Sequence, residues 1–267
     1  MSLFQLILVA LIQGLTEFLP VSSSGHLILL PSLTGMEDQG QTIDVAVHIG
    51  TLFAVIMYFW ADVKVAIGGI GRLIRGKVDT QGARLALYLG IATVPVLVFG
   101  LLLKLTGLDE MLRSVALIGW TMLIFGLVLY WTDQKGVTSK TAPEWSTKDA
   151  LVMGLWQAIA LIPGTSRSGA TISGARQLGY AREDAAKLSM LMSIPTIIAS
   201  GTVLGLEVIQ DADMQLAKDS LIAAVFAFLA ALLALSLMMR LLKSVSFTPY
   251  VIYRIFLGVA LLAFAYS

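Results

Sequence analysis

The chain has 267 residues, 57% of them hydrophobic and only 13% charged, and its mean hydropathy is +0.86. Soluble domains carry about 25% charged residues, so a soluble globular fold is excluded and an integral membrane protein is indicated. A formal net charge of +1 offers no field for nucleic acid, and the absence of cysteine excludes disulfides and thiolate metal sites.

The apolar runs are long and continuous rather than alternating, which predicts an all-α membrane protein over a barrel. Ser2–Leu19 reads as a helix without a basic leader region, so it is expected to be retained rather than cleaved. Pro20 and Ser22-Ser23-Ser24-Gly25 break it, and His26–Thr34 resumes for two or three turns. Each half is too short to cross a bilayer, which takes about 20 residues. A re-entrant helix–break–helix hairpin fits, provided its open backbone is buried or lines a wet cavity. A polar loop, Met36–Thr42, leads to a first span at Ile43–Trp60. Ala61–Arg84 is expected to be a basic loop with room for a surface helix. Leu85–Leu103 is a second span, kinked at Pro95. After the short loop Thr106–Arg113 comes a third span, Val115–Thr132. Asp133–Lys148 is the longest polar linker.

The second half repeats this order. Asp149–Ile162 is short, is broken at Pro163-Gly164, and resumes from Ser168 to Leu178. After the polar turn Gly179–Asp184, spans follow at Lys187–Leu206, Ser220–Leu242 and Phe247–Ser267, with an acidic loop at Glu207–Asp219. Gln13, Ser22, Ser24 and Gly25 match Gln157, Ser166, Ser168 and Gly169 at one constant offset. The expectation is therefore a single membrane domain with six transmembrane helices and two re-entrant hairpins. Repeat 1 covers about 1–132 and repeat 2 about 149–267, joined by a cytoplasmic linker at 133–148. Placing the basic loops inside puts 13 Lys and Arg in internal segments and 3 in external ones. The first hairpin then dips in from outside and the second from inside. This is an inverted-topology repeat whose broken tips meet near the midplane.

The second tip places Arg167 between Ser166 and Ser168, close to Gly164, Gly169 and Thr171. A charge at a helix centre in the membrane costs about 2.5–3.5 kcal/mol, and an anionic ligand would offset it. A helix N-terminus, glycines that admit close approach and a planar guanidinium all suit phosphate. A serine cap with a paired arginine is the plainer alternative. At the first tip, Gln13 and Glu17 share a helix face, and His26 follows Ser22, Ser23 and Ser24. Carboxylate, histidine and hydroxyl are the parts of phosphoryl transfer. His48 is read as a packing residue. Arg254 is read either as a second phosphate ligand or as a carboxylate's partner.

Together, QGLTEFLPVSSSGH and PGTSRSGAT resemble the membrane-embedded undecaprenyl-diphosphate phosphatase family of the bacitracin-resistance type, over essentially the whole chain. The family motif (E/Q)xxxE falls on Gln13 and Glu17. The motif PGxSRSxxT falls on Pro163, Gly164, Ser166, Arg167, Ser168 and Thr171. The family histidine corresponds to His26 and its proposed nucleophile to Ser23, with Ser22 and Ser24 beside it. Having Gln at position 13 leaves one fewer carboxylate for metal. The resemblance implies hydrolysis of undecaprenyl diphosphate to the monophosphate and inorganic phosphate, with recycling of the cell-wall lipid carrier and bacitracin resistance. It also implies a divalent cation, Mg²⁺ or Ca²⁺, held by Glu17 and Gln13, and an active site facing the periplasm or outside of the bacterial inner membrane. The nucleophile stays open among Ser23, His26 and water, and the oligomeric state between monomer and homodimer. A secondary transporter or lipid-phosphate flippase is the competing class, because inverted repeats with broken helices also build carriers.

Overall fold

The computed structural model describes residues 1–35, 38–108, 112, 114–136, 138–208 and 214–267, without the side chains of 32, 33 and 203–208. The expected loops at 36–42, 106–113 and 207–219 lie partly outside these residues. Among the described residues there are eleven α-helices. They are α1 (Leu3–Thr16), α2 (Ser23–Thr34), α3 (Gly40–Tyr58), α4 (Trp60–Ile74), α5 (Gln81–Thr106), α6 (Val115–Lys135), α7 (Thr147–Ile159), α8 (Arg167–Gln177), α9 (Arg182–Val208), α10 (Met214–Leu241) and α11 (Thr248–Tyr266).

Five of these, α3, α5, α6, α10 and α11, are long and apolar enough to cross a membrane. The chain is a multi-pass membrane protein. The remaining expected span falls in α9, which has 27 residues but is not among those five. Its N-terminal half is packed inside the bundle, with Ala185, Ala186, Leu188, Ser189, Met190, Leu191, Met192 and Ser193 all buried. Lipid does not require an apolar surface there, so hydroxyls are tolerated. The expected loop Ala61–Arg84 is mostly helix. The amphipathic α4 follows α3 almost without interruption and packs along α5.

The packing pairs repeat between the halves. α3 packs on α9, and α6 packs on α11. α1 packs on α10, while α7 packs on α5. Close backbone approach sets the α3–α10 contact. A Cβ on Gly50 would sit 2.2 Å from the carbonyl oxygen of Ala224, which no side chain survives without moving α10. Gly50→Leu is expected to lower stability by about 1–3 kcal/mol, as overpacking does. The measurement is thermal unfolding in detergent, and an unchanged midpoint would contradict the close packing.

The basic end of the bundle is tied by Asp133 at the end of α6. Its buried carboxylate accepts from Arg176 Nε at 3.2 Å and Arg182 Nε at 2.8 Å, and from the Phe247 amide at 3.3 Å. α6, α8, α9 and α11 are thereby fixed to one another. In the linker, Thr141 and Glu144 cap a short turn at Ala142–Glu144. The Thr141 backbone N–H and hydroxyl hold the Glu144 carboxyl below the usual range.

Candidate active site

Both short helices open on a serine with positive φ, Ser22 at 74° and Ser166 at 71°. These are the only non-glycine residues of that kind among the described ones. Left-handed backbone costs such a residue about 1–3 kcal/mol and tends to gather at functional sites. Each serine then caps its helix. Ser22 Oγ accepts from the Gly25 amide at 3.3 Å, and Ser166 Oγ accepts from the Gly169 amide at 3.1 Å. The first helical residues are consequently Ser23 on α2 and Arg167 on α8.

Those two residues meet on one carboxylate. Glu17 caps the C-terminus of α1. Its Oε1 accepts from Arg167 Nη2 at 2.9 Å, and its Oε2 accepts from Ser23 Oγ at 2.6 Å and from Gln13 Nε2 at 2.9 Å. His48 Nε2 lies 3.9 Å from Oε2. Two atoms of the cluster are buried without a hydrogen-bond partner, Arg167 Nη1 and Gln13 Oε1. A cavity of about 190 Å³ opens beside them. Glu17, Ser22, Ser23, Ser24 and His48 line it from the first half, and Ser166, Arg167 and Thr196 from the second. Two helix N-termini therefore face one cavity. Each carries about half a positive charge at its end, and an unsatisfied guanidinium nitrogen joins them. The combination suits a multiply charged anion.

The other motif residues are committed elsewhere. Ser168 Oγ donates to the Leu19 carbonyl at 2.9 Å, which pins the second break to the first. Thr171 Oγ1 donates to the Arg167 carbonyl at 2.8 Å and shares a hydrogen bond with Ser189. Gly164 has φ 84°, and a Cβ there would strike Thr121 Oγ1 at 2.1 Å. A Cβ on Gly169 would lie 2.9 Å from Arg254 Nη1. These four shape the break rather than line the cavity. Of the expected phosphate set, Ser166 and Arg167 line the cavity.

Two further expectations change. His26 does not pair with Ser23. Its Nδ1 donates to the Ser22 carbonyl at 2.7 Å, and its Nε2 accepts from the hydroxyl of Tyr253, whose ring stacks on the imidazole with 5.7 Å between centroids. Arg254 has neither a phosphate-facing nor a carboxylate-bound position. It is fully buried and donates to the carbonyls of Pro20, Gly164, Thr121 and Met122 at 3.0–3.4 Å. It bridges both breaks to α6.

Residues 6–260 match the family described as bacitracin resistance protein BacA. The chain belongs to this family. It is similar to the undecaprenyl-diphosphatase of Dinoroseobacter shibae, at 73% identity over the whole of both chains. It is similar to that of Roseobacter denitrificans, at 70% over the same extent. It is also similar to undecaprenyl-diphosphatase 1 of Rhodospirillum rubrum, at 47% over 100% of this chain and 96% of the other.

Within this BacA-family chain, sequence reasoning missed His48 as a cavity residue. Helical spacing from Asp44 holds its ring, because Nδ1 donates to the Asp44 carbonyl at 2.7 Å. Nothing in the local sequence tells which way the ring turns. Arg254 has an equally plain consequence. Arg254→Met removes the side-chain donor from the Pro20 and Gly164 carbonyls in the breaks and unties them from α6, and is expected to cost about 3 kcal/mol or more. A drop in the detergent unfolding midpoint checks it. An unchanged midpoint would remove the bridge from the account.

Proposed function

We propose that the protein hydrolyses undecaprenyl diphosphate to undecaprenyl phosphate and inorganic phosphate. The observation that carries this is the convergence of Ser23, Glu17 and Arg167 on one cavity at two facing helix N-termini. The names of the relatives supply the substrate. A pure anion carrier has no need of a serine hydroxyl held on a carboxylate, so the enzyme is the reading favoured here over a transporter.

The diphosphate enters the cavity with its terminal phosphoryl beside Ser23. Arg167, through Nη1 and the rest of its fork, and the amides at the start of α2 and α8 bind the phosphate oxygens. Ser23 Oγ attacks the terminal phosphorus, and its proton passes to Glu17 Oε2. The bond to the bridging oxygen breaks, and the lipid monophosphate leaves. Water then hydrolyses the phosphoserine, releases inorganic phosphate and restores Ser23. Phosphoryl transfer passes through a loose transition state, so alignment and charge stabilisation matter more than a strong base. His26 is a positioning residue, because it holds the carbonyl of the left-handed Ser22 immediately before the nucleophile.

A divalent cation fits this site in a limited way. Among the described residues there is no group of three or more His, Asp or Glu placed to hold a metal. Glu17 is one carboxylate, and the orphaned Gln13 Oε1 is a free oxygen beside it. Mg²⁺ commonly takes one or two carboxylates and completes its shell with substrate phosphates and water. When bound, the ion would offset diphosphate charge.

The repeated packing pairs support an inverted repeat of six spans and two re-entrant hairpins, with halves at about 1–132 and 149–267. The excess of Lys and Arg in the internal loops supports a cavity open to the periplasmic or outer side of the bacterial inner membrane. Recycling of the lipid carrier for cell-wall synthesis, with resistance to bacitracin, follows from that activity. The protein works as monomer or homodimer.

The test is phosphate release from undecaprenyl diphosphate by the purified protein in detergent. Release that falls with EDTA and returns with Mg²⁺ or Ca²⁺ is expected. Diphosphate binding without release would overturn the phosphatase in favour of a carrier.

A further inference from the structure

We infer that His48 is a metal ligand, and that with Glu17 it makes a nitrogen–oxygen site for a first-row divalent cation. The inference rests on the proposed phosphatase reading for the ion's purpose, and on geometry for its place.

The geometry starts from the tautomer. A carbonyl oxygen only accepts, so the 2.7 Å contact to the Asp44 carbonyl fixes the proton on Nδ1. In the neutral ring, the form that binds metal, Nε2 then presents its lone pair. It does so into the cavity, 3.9 Å from Glu17 Oε2. Bonds from a small divalent ion to imidazole nitrogen and carboxylate oxygen are about 2.0–2.2 Å each, so one ion can touch both atoms at that separation. A ring that donates its other N–H to a backbone carbonyl is also how protein imidazoles are oriented toward metals. The remaining ligands are close by. Ser23 Oγ lies on Oε2, as does Gln13 Nε2, and a flip of that amide turns its buried, unpartnered oxygen toward the ion. Arg167 engages Oε1, the other carboxylate oxygen, and so does not occupy the Oε2 side.

The contrast with the second imidazole is what singles out His48. The chain has two histidines. Both ring nitrogens of His26 are engaged, one by the Ser22 carbonyl and one by the Tyr253 hydroxyl, and His26 does not line the cavity. Only His48 offers a free nitrogen beside the carboxylate. An imidazole ligand also biases the site. Nitrogen donors suit first-row transition ions, whereas Ca²⁺ prefers oxygen throughout. The structure thus points to a preference for Mn²⁺ over Ca²⁺ that a carboxylate-only site would lack.

Having two histidines makes the test clean. The full-length protein in detergent is loaded with Mn²⁺ alone, and nitrogen coupling to the ion is read by pulsed electron paramagnetic resonance. Coupling to one histidine nitrogen is expected in the wild type and in His26→Gln. In His26→Gln grown with ¹⁵N-histidine the ¹⁴N signal is replaced by ¹⁵N, which assigns it to His48 without mutating that residue. His48→Gln is expected to abolish the coupling and weaken Mn²⁺ binding by about 10–100-fold, and to weaken Ca²⁺ binding much less. No Mn²⁺ binding, no nitrogen coupling, or coupling lost in His26→Gln would each overturn the assignment. Phosphate release, measured separately with the diphosphate, distinguishes the two failures. A protein that releases phosphate without nitrogen coupling keeps the phosphatase and loses the His48 ligand.

Discussion

Arg167→Ala is expected to reduce phosphate release by about 10³-fold or more, in the range seen when a transition-state donor or arginine finger is removed. The side chain does three things at once. It neutralises Glu17 through the 2.9 Å bond to Oε1, it closes the second break onto the first, and its buried Nη1, which has no partner, is the atom proposed to bind a phosphate oxygen. Arg167→Lys keeps the charge but loses the fork, so about a hundredfold loss should remain. Kinetics of the purified variants check this, with thermal unfolding as the control for folding. Near-normal turnover in Arg167→Ala would leave the ion pair with Glu17 as a structural contact and nothing more.

Ser23→Ala is expected to reduce turnover by about 10⁴-fold, because no covalent intermediate can form without the hydroxyl. The change is small and sits at the start of α2, whose cap is supplied by Ser22 rather than Ser23. The fold should therefore survive. The deciding readout is a phosphoenzyme trapped after rapid acid quench of the wild type and absent from the variant. A phosphoenzyme that persists in Ser23→Ala would remove the serine from the mechanism and leave His26 as the nucleophile, whereas no phosphoenzyme in the wild type would leave water.

The two breaks were legible because each needs the same local grammar. A positive-φ residue must reverse the chain, a hydroxyl must satisfy the orphaned amides of the next helix, and Ser22 and Ser166 do both at a fixed spacing. The meeting of the two tips follows from reading the halves as an inverted repeat, and the contact of Glu17 with Arg167 is where they join. What stayed hidden depends on rotation about helix axes. Ser168 and Thr171 look the same in sequence as Ser166 and Arg167, but one turn of α8 points them at Leu19 and Ser189 instead of the cavity. His48 is equally silent. It lies a whole helix away from Glu17, and only the packing of α3 beside α1 brings its ring to the carboxylate. Arg254 reads either as a phosphate ligand or as a carboxylate's partner, because a buried guanidinium needs an acceptor and the sequence does not show which. Two carbonyls of the helix breaks, Pro20 and Gly164, and two of α6, Thr121 and Met122, accept from it instead. α9 reads as an ordinary span from its length, while burial against protein explains the hydroxyls of Ser189 and Ser193 in its N-terminal half.

The central claim is that Glu17 from the first break and Arg167 from the second act as one catalytic unit. A double-mutant cycle on phosphate release tests it most directly, using Glu17→Gln, Arg167→Ala and the combination. Residues of one unit are strongly non-additive, so the double variant should be no more than about tenfold slower than the worse single one. Losses that multiply in the double variant would mean that the two breaks act separately, and the single-site account would fail.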